Sequence, residues 1–107
     1  MAKRKIPLII QQKIERLKKS IEMDGNKIDA FYLFGSYAKG NAHEWSDADV
    51  CVVSPSFGIK IKRPLDYLWN KRLVLNDFVI EPIGFNPKEF AQGSPLISEI
   101  KKYGVRM

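Results

Sequence analysis

The feature that most constrains the fold is the apolar run between Asp49 and Pro55. Residues 48–54 read Ala-Asp-Val-Cys-Val-Val-Ser, and an apolar run rich in β-branched residues indicates a buried strand. Pro55 ends the strand because proline has no backbone N–H to donate to a sheet. A buried strand needs other elements packed against it, so the rest of the chain must supply covering helices.

The segments before this strand predict one long helix, one strand and a short helix or turn. Residues 7–23 are amphipathic, and Pro7 suits the first turn of a helix. The apolar positions of this helix recur at three- and four-residue spacing: Ile10, Ile14, Leu17 and Ile21. Residues 24–26 (Asp-Gly-Asn) end it, residues 27–34 predict a strand, and residues 37–44 predict the short helix or turn.

The segments after the buried strand predict a loop, a helix, a strand and two further helical pieces. The loop covers residues 55–63, a helix begins at Pro64, and residues 78–85 form a strand whose Pro82 favours a sheet edge or a strand end. Residues 87–90 predict a helical turn, and residues 95–103 a last helix closed by Gly104. This order predicts an α/β (α+β) domain with a small sheet.

The sequence of the helix that begins at Pro64 also predicts how its side chains pack. Its larger side chains lie along one side: Leu65, Leu68, Trp69, Arg72 and Leu73. Core packing is therefore the expected role of Trp69 and of Tyr67 beside it.

Composition restricts the class of protein. The chain has 107 residues, 45% hydrophobic and 28% charged, which is typical of one soluble globular domain spanning residues 1–107. No apolar run approaches the roughly 20 residues of a membrane span. The single cysteine, Cys51, is expected in the strand core; it excludes an internal disulfide and favours a cytoplasmic location.

The net charge of +6 comes from the N-terminal twenty residues, which hold seven basic residues and one acid, Glu15. The remaining residues carry equal numbers of each sign. No RNA-binding or helix-turn-helix signature accompanies the basic segment. A helix face or a partner surface is therefore favoured over nucleic-acid binding.

Asp47 and Asp49 are the first candidates for chemistry. Their spacing places both side chains on one face of a strand, roughly 6.6 Å apart, where two carboxylates repel each other. A divalent cation between them would remove the repulsion, and Mg²⁺ prefers such oxygen ligands. The alternative is that Asp47 caps a turn and Asp49 is a solvated residue at the strand end.

Gly35 and Ser36 are the second candidates, because they lie between a strand and the start of a helix. Glycine permits close backbone approach, and a helix start presents N–H groups to an anion. The pair is therefore a plausible phosphate cradle. The alternative is a tight turn in which Ser36 caps the helix.

Together these pieces resemble a known signature. Residues 33–40 read Leu-Phe-Gly-Ser-Tyr-Ala-Lys-Gly, and after a short spacer residues 46–50 read Ser-Asp-Ala-Asp-Val. This combination resembles the DNA polymerase beta-type nucleotidyltransferase superfamily, and within it the minimal nucleotidyltransferase group that is often paired with HEPN-domain proteins. The resemblance implies the nucleotidyltransferase fold: a small mixed sheet of three or more strands flanked by about four helices.

The resemblance also implies a third carboxylate on the neighbouring strand. The candidate is Glu81, which interrupts an apolar strand where a charge is costly unless it is paired or bound to metal. Its alternative is an exposed residue at a sheet edge. Asp77 ranks second because it precedes the apolar run, and Glu89 is expected on a surface helix.

For mechanism, the resemblance implies that Asp47, Asp49 and Glu81 are both the catalytic residues and the ligands of two Mg²⁺ ions. Gly35, Ser36 and Lys39 would bind the phosphates of ATP or another NTP. Among the residues between the two motif halves, His43 is expected in a surface loop. Trp45 is expected either to stack on a base or to pack over the sheet edge.

Three functions remain at this point. The first is an enzyme that transfers a nucleoside monophosphate, AMP in the leading case, to a hydroxyl group, with a tyrosine of a HEPN toxin as one acceptor. The second is an inactive antitoxin or assembly subunit that binds a partner protein. The third is a nucleic-acid-acting transferase. A chain of this length has no room for an acceptor domain, so we expect a homo-oligomer or a complex, with contact along the first or last helix and without a membrane.

Overall fold

The computed structural model describes residues 6–43 and 46–107, and residues 1–5, Glu44 and Trp45 lie outside the described parts. The helices are α1 (Leu8–Met23), α2 (Ser36–Lys39), α3 (Pro64–Leu75), α4 (Pro87–Gln92) and α5 (Pro95–Tyr103). The strands are β1 (Ala30–Phe34), β2 (Ala48–Val53), β3 (Ile80–Phe85) and β4 (Val105–Arg106). In the described ranges, none of the helices combines the length and apolar character that a membrane span requires.

The four strands form one mixed sheet in the order β3-β2-β1-β4. β1 runs antiparallel to both β2 and β4, whereas β2 and β3 are parallel. β3 lies at an edge of the sheet, which is one of the two positions that Pro82 favoured. A proline is tolerated at an edge because the backbone N–H that it lacks is not needed for a hydrogen bond between strands there. The predicted α/β class with a small mixed sheet is confirmed.

One face of the sheet is covered by α1 and α3. The buried side of α1 consists of the four apolar positions that the periodicity predicted: Ile10, Ile14, Leu17 and Ile21. They join one core cluster with Phe31 and Leu33 of β1, Val50 and Val52 of β2, and Leu68 of α3. The alternate residues of each strand therefore face these two helices.

The opposite face carries a smaller core. Cys51 and Val53 of β2 pack there with Ile100 of α5, and Phe90 of α4 joins the cluster. Cys51 is fully buried, as expected. Because Asp49 is two residues before Cys51, its side chain lies on this same face, at the open end of the cluster.

Several predicted boundaries were wrong by a few residues. β1 begins at Ala30 instead of residue 27, and β3 begins at Ile80 instead of residue 78. α2 ends at Lys39 because Gly40 adopts a left-handed conformation, whereas the sequence suggested an end near residue 44. α4 continues to Gln92, and the short strand β4 was not predicted.

The prediction of which side of α3 is buried was wrong. Leu68 is fully buried, but Leu65 and Leu73 are more than half exposed and Trp69 is 37% exposed. Tyr67 is half-buried against the core, in agreement with its expected packing. The sheet and α1 cover the side of α3 centred on Leu68, so the neighbouring flank remains open.

Gly104 closes α5 for a reason other than the predicted one. Its φ of −66° and ψ of 149° are ordinary extended values, so no left-handed conformation is involved. A Cβ at this position would overlap the carbonyl oxygen of Ile100. The glycine is therefore required by close packing against the preceding helical turn.

Candidate active site

The candidate site lies where β1 ends and where β2 and β3 begin. Antiparallel pairing places Phe34, the last residue of β1, opposite Asp49. Parallel pairing places Glu81 of β3 opposite Asp49 on its other side. Directly paired residues point to the same face of a sheet, so Asp49 and Glu81 are neighbours on the face that α5 covers.

Asp47 completes a group of three carboxylates. It is exposed and lies one residue before β2, whereas Asp49 and Glu81 are partly buried. The side chain of Glu81 makes hydrogen bonds with both Asp47 and Asp49. A hydrogen bond between two carboxyl groups requires a proton on one of them.

The electrostatics of this group disfavour three negative charges. Burial raises the pKa of Glu81, and hydrogen bonding to and repulsion from Asp47 and Asp49 raise it further. Burial also raises the pKa of Asp49, and its hydrogen bond with Glu81 only partly opposes this rise. Asp47 and Glu99 add to the rise at Asp49 by repulsion.

Among residues 6–43 and 46–107, no lysine or arginine forms an ion pair with the three acids. In the described ranges, every lysine or arginine that forms an ion pair does so with another acid: Asp24, Asp29, Asp66, Asp77 or Glu99. These ranges also contain no ready-made cage of three or more metal-ligating side chains. Mg²⁺ does not need one, because it is usually held by one or two carboxylates together with water and substrate phosphates. The three carboxylates therefore fit an Mg²⁺ site that substrate completes.

Gly35 forms a tight turn directly beside Asp49. Its φ of 72° and ψ of −143° fall in a region that only glycine populates readily. A Cβ at Gly35 would overlap Oδ2 of Asp49. The glycine thus allows the chain to pass over the carboxylate, and it brings backbone N–H groups to the same place.

Ser36 is the first residue of α2, and Gly35 occupies the capping position. No side-chain capping hydrogen bond is present, so the alternative interpretation of Ser36 as a helix cap was wrong. The first N–H groups of any helix have no partner within the helix. The start of α2 can therefore offer N–H groups and the Ser36 hydroxyl to an anion that approaches Asp49.

Lys39 lies at the end of α2 and contacts α5. Its Nζ is 3.2 Å from Oε1 of Glu99 and 5.6 Å from the centre of the Tyr103 ring. Both side chains of the ion pair are about 40% exposed, so Lys39 can exchange Glu99 for a phosphate at low cost. Glu99 is a residue of α5 that no local sequence signal marks as a site residue, and only packing of α5 on the sheet brings it near Asp49.

The two other acids considered for the third carboxylate lie elsewhere. Asp77 is buried beneath α1, where its Oδ1 is 2.7 Å from Nζ of Lys13 and its Oδ2 is 3.6 Å from Arg16. Glu89 belongs to a capping box with Asn86 at the start of α4, as a surface helix residue. Glu81 alone among the three is paired with Asp49.

The remaining sequence candidates are placed as follows. His43 is exposed, and its backbone N–H donates to Oγ of Ser46. Trp45 lies outside the described residues. In the predicted loop of residues 55–63, which was not assigned a role, Lys60 donates to the carbonyl of Asp24, at the opposite end of β1 from the acids.

Three of the four basic residues of α1 are engaged within the protein. Lys13 and Arg16 pair with Asp77, and Lys18 donates to the carbonyl of Met107 at 3.1 Å. These contacts tie α1 to the start of β3 and to the C-terminal residues. They account for part of the positive charge without a nucleic acid.

A cavity of about 350 Å³ lies between α1 and α3 and contains none of the candidate site residues. Its lining includes Arg16, Lys19, Asp24 and Lys71. The cavity is therefore separate from the group of three carboxylates. The acids instead lie at the open end of the sheet, which suits a charged substrate that brings metal ions with it.

Comparison with known proteins identifies the family. The family model of the nucleotidyltransferase domain matches residues 4–106. This chain belongs to the nucleotidyltransferase domain family, and it is a transferase of that family.

Two relatives come from Methanocaldococcus jannaschii, and both are named as protein adenylyltransferases. MJ0141 is 32% identical over 96 residues, which are 88% of this chain and 94% of that protein. MJ1305 is 37% identical over 67 residues, 63% of this chain and 41% of the longer relative.

Solved structures share the fold at lower identity. A crystal structure of a toxin–antitoxin with AMP-PNP has a TM-score of 0.59 and 20% identity, and covers 86% of this chain and 69% of that chain. A mutant of the toxin–antitoxin MntA-HpeT has a TM-score of 0.56 and 18% identity over the same shares. At these identities the likeness shows the fold alone.

Proposed function

We propose that this protein is an Mg²⁺-dependent nucleotidyltransferase that moves AMP from ATP to a hydroxyl group of a partner protein. The observation that carries the proposal is the convergence of Asp47, Asp49 and Glu81 beside the turn at Gly35, without a basic partner in the described ranges. The adenylyl group and the protein acceptor are supported by the names of the M. jannaschii relatives.

The carboxylates would hold the metal ions. Asp47 and Asp49 would bind both Mg²⁺ ions, and Glu81 would complete the second position. Bound there, Mg²⁺ would neutralise triphosphate charge and lower the pKa of the attacking hydroxyl. The raised pKa values of Asp49 and Glu81 support this assignment, because repulsion between carboxylates is what a divalent cation relieves.

The chain's own groups would then orient the phosphates and move one proton. The N–H groups after Gly35 and the Ser36 hydroxyl would donate to the β- and γ-phosphates, with Lys39 turning from Glu99 to the same oxygens. The acceptor oxygen forms a bond to the α-phosphorus as the bond to the bridging oxygen breaks, and pyrophosphate leaves. In its ionised form, Glu81 would take the proton of the attacking hydroxyl as the alternative to binding the second metal ion.

The proposal extends to the partner. We expect the acceptor to be a tyrosine of a HEPN-domain toxin, so that transfer of AMP would silence the toxin and make this protein an antitoxin. The fold neighbours support this step because they are toxin–antitoxin structures, one of them with AMP-PNP. The M. jannaschii relatives support the transfer but not the identity of the acceptor.

The test is incubation with labelled ATP, Mg²⁺ and the product of the adjacent gene. Wild type is compared with the double variant Asp47→Ala/Asp49→Ala and with Asp29→Ala, which removes an exposed acid away from the site. We expect label on the partner with wild type and Asp29→Ala, and none with the double variant. Transfer that survives the double variant would contradict the proposed site. Absence of transfer with any NTP, together with intact partner binding, would instead indicate a non-catalytic antitoxin or assembly subunit.

A further inference from the structure

An apolar stripe on the outer flank of α3 has no partner in the described structure. Leu65, Trp69 and Leu73 follow one another at four-residue spacing and are 54%, 37% and 61% exposed. Phe78 adjoins Trp69 through the guanidinium of Arg72 and is 50% exposed. Four-residue spacing places side chains in one continuous ridge along a helix, so these residues form a single surface.

The centre of the stripe is held rigidly. Nε1 of Trp69 donates to the carbonyl oxygen of Pro82 at 3.2 Å, so the indole N–H is already satisfied. The guanidinium of Arg72 lies 4.4 Å from the centre of the Trp69 ring and 5.5 Å from that of Phe78. A partner can therefore cover the Trp69 ring without leaving its donor unpaired, and little side-chain freedom is lost on docking.

The sequence of the stripe is symmetric about Trp69. Leu65 and Leu73 lie four residues before and after it. When two copies of a helix pair antiparallel about a two-fold axis at Trp69, the residue four positions before the centre in one copy lies level with the residue four positions after it in the other. Leucine then meets leucine on both sides of Trp69.

We propose that the α3 stripe is a docking surface for a second copy of this chain, paired antiparallel about Trp69. A two-fold interface needs a surface that is complementary to itself, and the stripe meets this condition because leucines lie at equal distances on both sides of Trp69.

The area of the stripe agrees with this occupant. Its four apolar side chains together expose on the order of 450 Å², which is as large as the largest patch on a typical monomer. Interfaces are about 60% apolar, so an apolar part of this size corresponds to roughly 800 Å² per partner. That is the standard size for a specific, stable interface.

The prediction from the sequence placed partner contact on the first or last helix, whereas this surface lies on α3. The proposal does not depend on the transferase reaction. A partner protein of different sequence is the competing occupant, and it would have no reason to match a pattern symmetric about Trp69. The symmetry therefore provides the test.

The experiment is sedimentation equilibrium of wild type and of two double variants. Both double variants carry charged residues at positions 65 and 73, but the signs of the charges differ. In Leu65→Glu/Leu73→Glu, like charges face each other twice across the two-fold axis, and in Leu65→Lys/Leu73→Glu, opposite charges do. Ile59→Glu is the control, because Ile59 is 72% exposed and lies in the loop before α3. All substituted side chains are more than half exposed, and urea unfolding will verify that each variant is folded.

We expect a dimer for wild type and for Ile59→Glu. The like-charge variant should dimerise at least about 100-fold more weakly, since each substitution acts twice, and the opposite-charge variant should recover at least about tenfold of that loss. A wild type that stays monomeric up to about 0.5 mM would overturn the proposal. Equal weakening of the two double variants would overturn it as well, because that result would mean that Leu65 and Leu73 do not meet.

Discussion

Replacing Gly35 by alanine tests whether the turn and Asp49 are as close as the structure shows. The new methyl group would meet two problems: the positive φ of 72° with ψ of −143°, and overlap with Oδ2 of Asp49. Gly93 offers a matched control, because its φ of 81° and ψ of 170° are equally unfavourable for alanine. A Cβ at Gly93 meets nothing within 4 Å.

The effects of Gly35→Ala and Gly93→Ala on the free energy of unfolding should differ only by the overlap with Asp49. Backbone strain lowers the free energy of unfolding by about 1–3 kcal/mol at either position. At Gly35 the Asp49 side chain must also leave its rotamer, which adds about 0.5–1.5 kcal/mol. In a domain of this size, each kcal/mol corresponds to roughly 4–8 °C in Tm. Displacing Asp49 by about 1 Å should also reduce transferase activity on the order of 100-fold, whereas Gly93→Ala should leave it unchanged.

The measurement is urea unfolding of both variants, alone and in an Asp49→Ala background. Without the carboxylate, the overlap disappears, so Gly35→Ala should then cost no more than Gly93→Ala. Label transfer per folded molecule is measured in parallel for the variants that keep Asp49. If Gly35→Ala and Gly93→Ala have equal effects on stability and activity in the wild-type background, the reasoning about the turn is refuted.

Three further predictions concern Glu81, Asp77 and Lys39. Because the pKa of Glu81 is raised, its ionisation lowers the free energy of unfolding as the pH rises through that pKa. Without divalent cations, Glu81→Gln should therefore be more stable than wild type near pH 7. Urea unfolding should show that this gain in stability becomes smaller towards pH 4 and after addition of Mg²⁺. Asp77→Asn should lower the free energy of unfolding by about 1.5–3 kcal/mol, since Lys13 and Arg16 lose their partner, yet label transfer per folded molecule should persist, in contrast to Glu81→Gln. Lys39→Ala should lower the free energy of unfolding by less than about 1 kcal/mol, because the ion pair of Lys39 with Glu99 is exposed. Steady-state kinetics should show a raised KM for the NTP. An unchanged KM would mean that Lys39 does not belong to the phosphate site.

Local patterns were reliable where an element is defined by its own residues. The three- and four-residue spacing of α1 predicted its four buried positions, and the bounds of α5 agree with the prediction at both ends. The buried strand β2 was evident because a run of valines needs no knowledge of its neighbours. Its partner β3 was found with the correct edge position because proline restricts where a strand can lie.

Patterns failed where the outcome depends on what another segment covers. The large side chains of α3 suggested a buried flank, but the sheet and α1 cover only the side centred on Leu68, so Leu65 and Leu73 remain exposed. Likewise β4 is only two residues long, and it exists because β1 offers an open edge to the chain that returns from α5.

By itself, the sequence determined which family this chain belongs to and which residues are candidates for its chemistry. A glycine and a serine after one strand and two aspartates before the next are local features, and their spacing along the chain was sufficient to predict a phosphate and metal site. Only the tertiary structure decided which distant residues join them. Parallel pairing of β2 with β3 places Glu81, and not Asp77, opposite Asp49, and packing of α5 brings Glu99 to the same place. Register and helix docking are set by the burial of apolar side chains on both faces of the sheet, which no short segment encodes alone.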